Sequence, residues 1–210
     1  MIGARVTYGE PVSPAVLQHH AVGVTWHETD VMARAAHAIR AGQDTWLIDP
    51  FDDPAALTAV SELGRPAGVI QLLDRHNRDC AEIAQRLGVP HHKLPRTLPS
   101  ESGLRPISVV SRPWWKEVAL WWPDEQTLIV AEAIGTGPLF ALGRPVGVHP
   151  MLRLVPPRSA LGDLAPARIL AGHGPALESG ATEALNTALS AARTDIPKLI
   201  LKLPSALRGG

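Results

Sequence analysis

The sequence is short of several residue types, and each shortage narrows the class of protein. It has one cysteine, Cys80, among 210 residues, so no disulfide can form within the chain, and we expect a reducing, cytoplasmic location. Its 20 Lys and Arg residues balance 20 Asp and Glu residues without a basic block, which argues against nucleic acid or an anionic membrane surface as a partner. No apolar run approaches the ~20 residues of a membrane span, and none of signal-peptide length opens the chain. The expected partner is a small-molecule ligand or substrate, and nothing indicates a homo-oligomer.

Hydrophobic patterning predicts a single α/β domain over residues 1–210. The first third alternates short strands with turns and ends at Asp49-Pro50. A helix is then predicted over 54–63, with Asp53 as N-cap and proline at the first helical position. A nearly continuous apolar run over 68–73 is typical of a strand buried on both faces. A second helix, with Asp79 as its cap, follows at once, so strand, polar loop and helix meet in a short segment.

The second half of the chain adds more strands and two helices. Strands are predicted over 107–110, 118–122, 127–130 and 168–171, and helices over 181–193 and from residue 195 onward. Residues 94–106 and 135–150 are interpreted as loops because they lack periodicity. The pairs His19-His20 and His91-His92 are assigned to surface loops as well.

Two segments carry metal-competent side chains where predicted strands end, which is where sites are usually built. They are residues 74–80, which read DRHNRDC, and residues 172–175, which read GHGP. With the strand meander that ends in Leu-Ile-Asp-Pro, their order resembles the metallo-β-lactamase superfamily. The resemblance implies a four-layer αββα sandwich, in which two mixed β-sheets face each other and helices flank them.

The same resemblance makes the polar box of this chain unusual. In that family the box normally reads H-x-H-x-D-H. When the family's aspartate is laid on Asp79, Arg75 and Asn77 take the places of the first two histidines, and Cys80 takes the place of the third. A further family histidine should come from the middle of the chain, yet there is none between residues 92 and 149. The first of the two family metal sites would then lack every imidazole, and we expect it to be lost.

The second family site retains more of its donors. The resemblance places Glu132 where the family has a bridging aspartate and His173 where it has its last histidine. Asp79, Cys80, Glu132 and His173 are therefore the candidate ligands of one Zn or Fe ion, since thiolate, imidazole and carboxylate all bind these metals. His76 is a reserve ligand from a neighbouring register. Four further residues are expected to line the pocket: Arg75, Asn77, Arg78 and Asp49.

Most of these candidates also have a structural interpretation. Cys80 lies on the apolar face of its predicted helix, where a buried, inert thiol is common. An N-cap role explains Asp79 without any metal. Glu132 could be a loop carboxylate. His173 is the exception, because a histidine flanked by glycines at a strand end is hard to explain by packing.

Two functional hypotheses follow from the same residues. In the first, the chain is a mononuclear hydrolase that acts on a small ester, thioester, lactone or phosphodiester. In the second, it binds no metal, Arg75 or Arg78 neutralises Asp79 and Glu132, and the protein is a binding protein or pseudoenzyme. The loss of three imidazoles favours the second hypothesis.

Overall fold

A computed structural model describes residues 14–76 and 78–206, without the side chains of residues 202–206. Six strands form the first sheet in chain order: β1 (Val16–His20), β2 (Gly23–His27), β3 (Ala35–Ala41), β4 (Asp44–Ile48), β5 (Arg65–Gln71) and β6 (His91–Lys93). Strands β1 to β4 pair antiparallel, whereas β4, β5 and β6 pair parallel. The first sheet is therefore mixed.

The second sheet is mixed too and has four strands. These are β7 (Arg105–Arg112), β8 (Trp115–Trp122), β9 (Thr127–Val130) and β12 (Arg168–Ala171), in the order β12-β9-β8-β7. The β9–β12 pair is parallel, and the other two pairs are antiparallel. A short antiparallel ladder of β10 (Ile134–Gly135) and β11 (Gly147–Val148) extends beyond β9.

Helices cover the sheets on their outer faces. They are α1 (Pro54–Leu63), α2 (Cys80–Leu87), α3 (Pro138–Ala141), α4 (Arg158–Leu161), α5 (Ala181–Ala191) and α6 (Ile196–Ala206). Helix α1 begins as predicted: Asp53 caps it, and the Ala56 amide donates to Asp53 Oδ1 over 2.8 Å. Within the described residues no helix is long and apolar enough to cross a membrane.

The core shows why these strands form two facing layers. In β4, Trp46 and Ile48 point into the core between the sheets, whereas Leu47 points outward against α1 and α2. In β5, Ile70 likewise points into the core between the sheets, and Val69 points outward. This period of two buries both faces of the strand, and each buried Val, Leu or Ile side chain contributes about 1.5–3 kcal/mol of hydrophobic stabilisation. The predicted sandwich of two mixed sheets flanked by helices is confirmed.

Some local predictions are wrong. The two histidine pairs do not lie in loops, because His19-His20 belong to β1 and His91-His92 to β6. Residues 135–150 are not simply a loop, because they contain α3, β11 and the second residue of β10. These elements are too short to produce a periodic hydrophobic pattern. Asp79 does precede α2, but its side chain makes no capping hydrogen bond to that helix.

The topology brings four chain segments to one edge of the sandwich. Strands β4 and β5 run parallel in one sheet, and β9 and β12 run parallel in the other, so their carboxyl ends meet. Isolated bridges from Arg34 to His173 and from Leu73 to Glu117 then connect the two sheets at that edge. Asp49, His76, Glu132 and His173 all follow these strand ends.

Candidate metal centre

Two imidazoles converge on one carboxylate oxygen at this edge. His76 Nε2 lies 3.0 Å from Glu132 Oε1, and His173 Nε2 lies 3.8 Å from the same atom. One ligand atom from each of the three residues falls within 4.8 Å of the others. His76 and His173 are buried, and Glu132 is nearly so. Among the described residues this is the one group of three or more His, Cys, Asp or Glu side chains that could share an ion.

The second nitrogen of each imidazole is held by an oxygen acceptor. His173 Nδ1 lies 2.8 Å from the carbonyl oxygen of Met32, which can only accept, so Nδ1 carries a proton and, in the neutral ring, Nε2 presents a lone pair. His76 Nδ1 faces Asp49 Oδ2 at 3.4 Å, at the long limit of a hydrogen bond. An imidazole whose outer N–H is bonded to a carbonyl or carboxylate is the usual arrangement of a metal-ligating histidine.

Asp49 is fixed where β4 ends. Its Oδ1 accepts from the Leu72 amide over 2.9 Å, and its own amide donates to the Ile70 carbonyl over 2.9 Å. Its φ of 46° lies in the left-handed region, which is costly for a residue with a side chain. The surrounding hydrogen bonds hold this conformation, and the carboxylate is thereby kept behind His76.

The charges of the group are mutually dependent. Burial alone would raise the pKa of Glu132, but the neighbouring imidazoles of His173 and His76 hold that pKa well below its ordinary value. Burial and Arg78 would lower the pKa of His76, yet its contacts with Asp49 and Glu132 raise it. The pocket therefore favours a positive charge between the imidazoles and the carboxylate.

Glu117 holds the backbone of Glu132 in place through hydrogen bonds. The carboxylate of Glu117 is buried in β8 and accepts from the Glu132 amide over 2.9 Å and the Ala133 amide over 2.8 Å. Its other oxygen accepts from Trp115 Nε1 over 3.0 Å. Burial raises the pKa of Glu117 to about 7 despite these donors. The hydrogen bonds fix the turn that carries Glu132.

Arg75 does not enter the space between the imidazoles. Its Nη2 donates to Glu132 Oε2 over 2.6 Å, on the side away from the histidines. Its guanidinium lies 4.3 Å above the Trp115 ring, and 39% of the side chain is exposed. Arg75 therefore lines the rim of the pocket and takes the outer oxygen of Glu132.

Arg78 lies deeper and connects three chain segments. Its guanidinium donates to the carbonyls of Ala35, Asp49 (3.0 Å) and Gly172 (3.1 Å). These groups belong to β3, the end of β4 and the turn before His173. The fixed cation joins the two sheets beside the candidate site.

The remaining predicted ligands are placed elsewhere. Asp79 Oδ2 accepts from the Asp52 amide over 2.6 Å. The Cys80 thiol is buried beside the Pro50 carbonyl at 3.9 Å, and burial raises its pKa far above the ordinary value. Neither residue belongs to the group of three, so a ligand role for either stays a prediction that this geometry does not favour. Asn77 lies outside the described residues.

The group of three fits a single transition-metal ion. Two ligands that each bind zinc at ~2.0–2.1 Å with a tetrahedral angle lie roughly 3.3–3.4 Å apart. The observed separations of 3.0 and 3.8 Å lie on either side of that value. His173 Nε2 is also buried and has no hydrogen-bond partner among the residues that the structure describes, as expected for an atom that binds an ion. A second ion finds no comparable set of donors among the described residues.

The fold is similar to that of several solved structures. The Nostoc sp. PCC 7120 diflavin flavoprotein A 5 fragment (residues 1–254) is 16% identical, with a TM-score of 0.62, covering 90% of this chain and 100% of its own. DIM-1 metallo-β-lactamase exposed to ceftazidime is 9% identical, with a TM-score of 0.53, covering 87% and 100%. TMB-1, from work on substrate and inhibitor binding, is 12% identical, with a TM-score of 0.53, covering 86% and 99%. No family model matches the sequence, and no curated protein does. The chain therefore has the metallo-β-lactamase fold.

Sequence reasoning underweighted His76 and missed Glu117. Laying the H-x-H-x-D-H box one residue earlier places Asp74 and His76 on its first two histidine positions and Arg78 on its aspartate. Glu117 could have been found by strand register, since it alternates with Trp115 and Ala119, which are apolar and buried on the same face. A carboxylate at an inward position of a strand indicates a dedicated hydrogen-bonding role.

Proposed function

We propose that the protein is a mononuclear metal-dependent hydrolase that holds one divalent ion on His76, Glu132 and His173. The observation that carries the proposal is the convergence of two Nε2 atoms on Glu132 Oε1, with the Nδ1 atoms held by Asp49 and by the Met32 carbonyl. The substrate class is a small ester, thioester, lactone or phosphodiester. Zinc or iron suits a donor set of two imidazoles and one carboxylate.

The chain's own residues prepare such a site in three ways. Asp49 and Met32 orient the imidazoles, and Glu117 fixes the turn of Glu132 through two backbone amides. Arg75 occupies Glu132 Oε2, which leaves Oε1 for the ion. An ion bound by three protein ligands keeps a position for water and lowers the pKa of that water towards ~7, which supplies a hydroxide nucleophile.

Metal content of the purified protein tests the proposal. Protein prepared without a His tag or chelator should carry close to one equivalent of zinc or iron by mass spectrometry. His173→Ala and Glu132→Gln should each lose it, whereas His19→Ala, which removes an exposed histidine of β1, should retain it. A metal content near zero, even after incubation with excess zinc, would refute the proposal.

Turnover is tested separately from binding. The zinc-loaded protein should hydrolyse at least one of three probes: 4-nitrophenyl acetate, a short acyl thioester or bis(4-nitrophenyl) phosphate. The rate should fall to background in Glu132→Gln. If the protein binds one ion but hydrolyses none of the three probes, it is a metal-binding protein and the proposed hydrolase activity is refuted.

A second candidate function is a metal-free binding protein. The 2.6 Å contact between Arg75 and Glu132 favours it, because a guanidinium can neutralise the carboxylate without a metal. In that case His173→Ala would change neither the metal content nor the probe rates.

A further inference from the structure

His149 shares an aromatic neighbour, Phe140, with the candidate ligand His173, although the metal-binding group does not include it. Its amide donates to the Ala133 carbonyl over 3.0 Å, which continues the β10–β11 ladder by one pair. Ala133 follows Glu132 in the chain, so His149 is placed across from the turn that holds the carboxylate. Burial is the main influence on the pKa of His149 and lowers it, while the charge of Glu132 raises that pKa and the charge of Arg75 lowers it further.

Aromatic packing restricts the orientation of the His149 ring. Its centroid lies 4.7 Å from Trp115 at an interplanar angle of 78°, and 5.4 Å from Phe140 at 65°. Phe140 in turn stacks on His173 at 4.8 Å, and Arg75 lies over Trp115 at 4.3 Å. The two rings that hold His149 therefore also contact a candidate ligand and the rim arginine.

Hydrogen bonding fixes which nitrogen of His149 carries the proton. The Met151 amide, which can only donate, lies 3.1 Å from Nδ1, so Nδ1 must accept. The proton of the neutral ring is then on Nε2. Burial lowers the pKa of His149 to about 4, so the ring is neutral at pH 7. Among the hydrogen bonds of residues 14–76 and 78–206, this contact at Nδ1 is the one that the His149 side chain makes.

We propose that His149 Nε2–H is a fixed hydrogen-bond donor to the substrate oxygen that gains negative charge during hydrolysis. When hydroxide adds to the carbonyl carbon, the electron pair of the C=O bond moves onto oxygen, and that oxygen accepts from Nε2–H. The proton stays on His149 throughout. A preorganised donor of this kind stabilises the transition state electrostatically. The proposal rests on the proposed hydrolytic function for its chemical step, whereas the proton's position on Nε2 is independent of it.

Two substitutions separate this role from a structural one. His149→Asn keeps an acceptor near the Nδ1 position for the Met151 amide but removes the donor. His149→Gln does the reverse, because its amide nitrogen reaches the Nε2 position. The donor role predicts that His149→Asn lowers kcat/KM about 10²- to 10³-fold, while His149→Gln keeps most of it. An equal loss in both variants would overturn the proposal.

Binding and spectroscopy give readouts that need no turnover. Methylphosphonate, a tetrahedral oxyanion, should bind the zinc-loaded protein roughly 10- to 100-fold more weakly after His149→Asn. In ¹⁵N-histidine NMR at pH 7, His149 should show a protonated Nε2 whose proton moves downfield when methylphosphonate saturates the site. A proton on Nδ1, or a signal that methylphosphonate leaves unmoved, would refute the donor role.

Metal content keeps the two proposals distinguishable. Both His149 variants should retain the wild-type metal content, because neither removes a ligand. A wild-type protein without metal would refute the proposed function. A loss of metal confined to the His149 variants would instead show that His149 acts through the ligands, and it would refute the donor role.

Discussion

Arg75 and Glu132 form an ion pair in which only the outer carboxylate oxygen takes part. Arg75 Nη2 lies 2.6 Å from Glu132 Oε2, whereas Oε1 faces the imidazole of His76 at 3.0 Å. The arginine that sequence comparison places on a ligand position is therefore outside the space where an ion would bind. This relationship allows Glu132 to bind a metal through one oxygen while the guanidinium holds the other.

Arg75→Gln should weaken metal binding. Partners that orient a ligating carboxylate typically contribute 10- to 100-fold in metal affinity, and the repulsion from a guanidinium that is 39% exposed is screened by solvent. We expect a loss of about tenfold in zinc affinity, measured by competition with a fluorescent chelator. The exposed Arg112→Gln is the matched control. Tighter zinc binding in Arg75→Gln would mean that Arg75 replaces the ion, as in the metal-free alternative.

The Cys80 thiol should be unreactive in the folded protein. Burial disfavours the thiolate, which is the form that attacks thiol reagents. We expect Ellman's reagent to label Cys80 only after denaturation, and Cys80→Ser to leave the metal content unchanged. Rapid labelling of the native, metal-free protein together with protection by zinc would restore Cys80 as a ligand.

Arg78→Met should destabilise the fold more than any change at the rim. It removes the donors of three carbonyl groups and the guanidinium charge that, together with His76, lowers the pKa of Asp49. We expect the free energy of unfolding, measured by urea denaturation, to fall by about 2–4 kcal/mol. Arg78→Lys keeps the charge but not the planar fork and should recover only part of the loss. Wild-type stability in Arg78→Met would contradict the bridging role.

Acid should destabilise the protein through His37. His37 Nε2 donates to the Ala171 carbonyl over 3.1 Å and Nδ1 accepts from Thr25 over 2.8 Å, so the buried ring is neutral. Burial, with the charges of His20 and Arg78, lowers the pKa of His37 to about 3, against 6.5 for the free side chain. Between these values the unfolded state binds a proton that the folded state does not. The stability that a neutral His37 contributes is therefore complete above pH 6.5 and is lost as pH falls towards 3.

The measurement compares stability curves of wild type and His37→Gln. As pH falls from 6 to 4, the free energy of unfolding should decrease more steeply in the wild type than in His37→Gln. The difference between the two slopes should be up to about 1.4 kcal/mol per pH unit. Parallel curves would show that His37 is already protonated in the folded state.

The fold could be predicted because its signals are local. The Asp53 cap of α1 and the alternating burial of Trp46 and Leu47 are fixed by nearest neighbours in the chain. The β1 and β6 strands escaped prediction because His19-His20 and His91-His92 are polar and gain strand structure only by pairing with β2 and β5.

The site was only partly predictable because it depends on register. Glu132 and His173 were expected to lie together, and they do. The residue that joins them in the group of three is His76, which was expected only as a reserve, and no local pattern fixes the register of the polar box to within one residue. His149 approaches the site through the β10–β11 ladder, which is two residues long in each strand and carries no periodic signal.

Anomalous diffraction at the zinc absorption edge, from crystals of tag-free protein grown with zinc, would show whether one ion binds between His76, Glu132 and His173. We expect one peak, bonded at ~2.0–2.2 Å to the Nε2 atoms of His76 and His173 and to Glu132 Oε1. Two peaks a few ångströms apart, or no peak while Arg75 and His76 still share the Glu132 carboxylate, would contradict it.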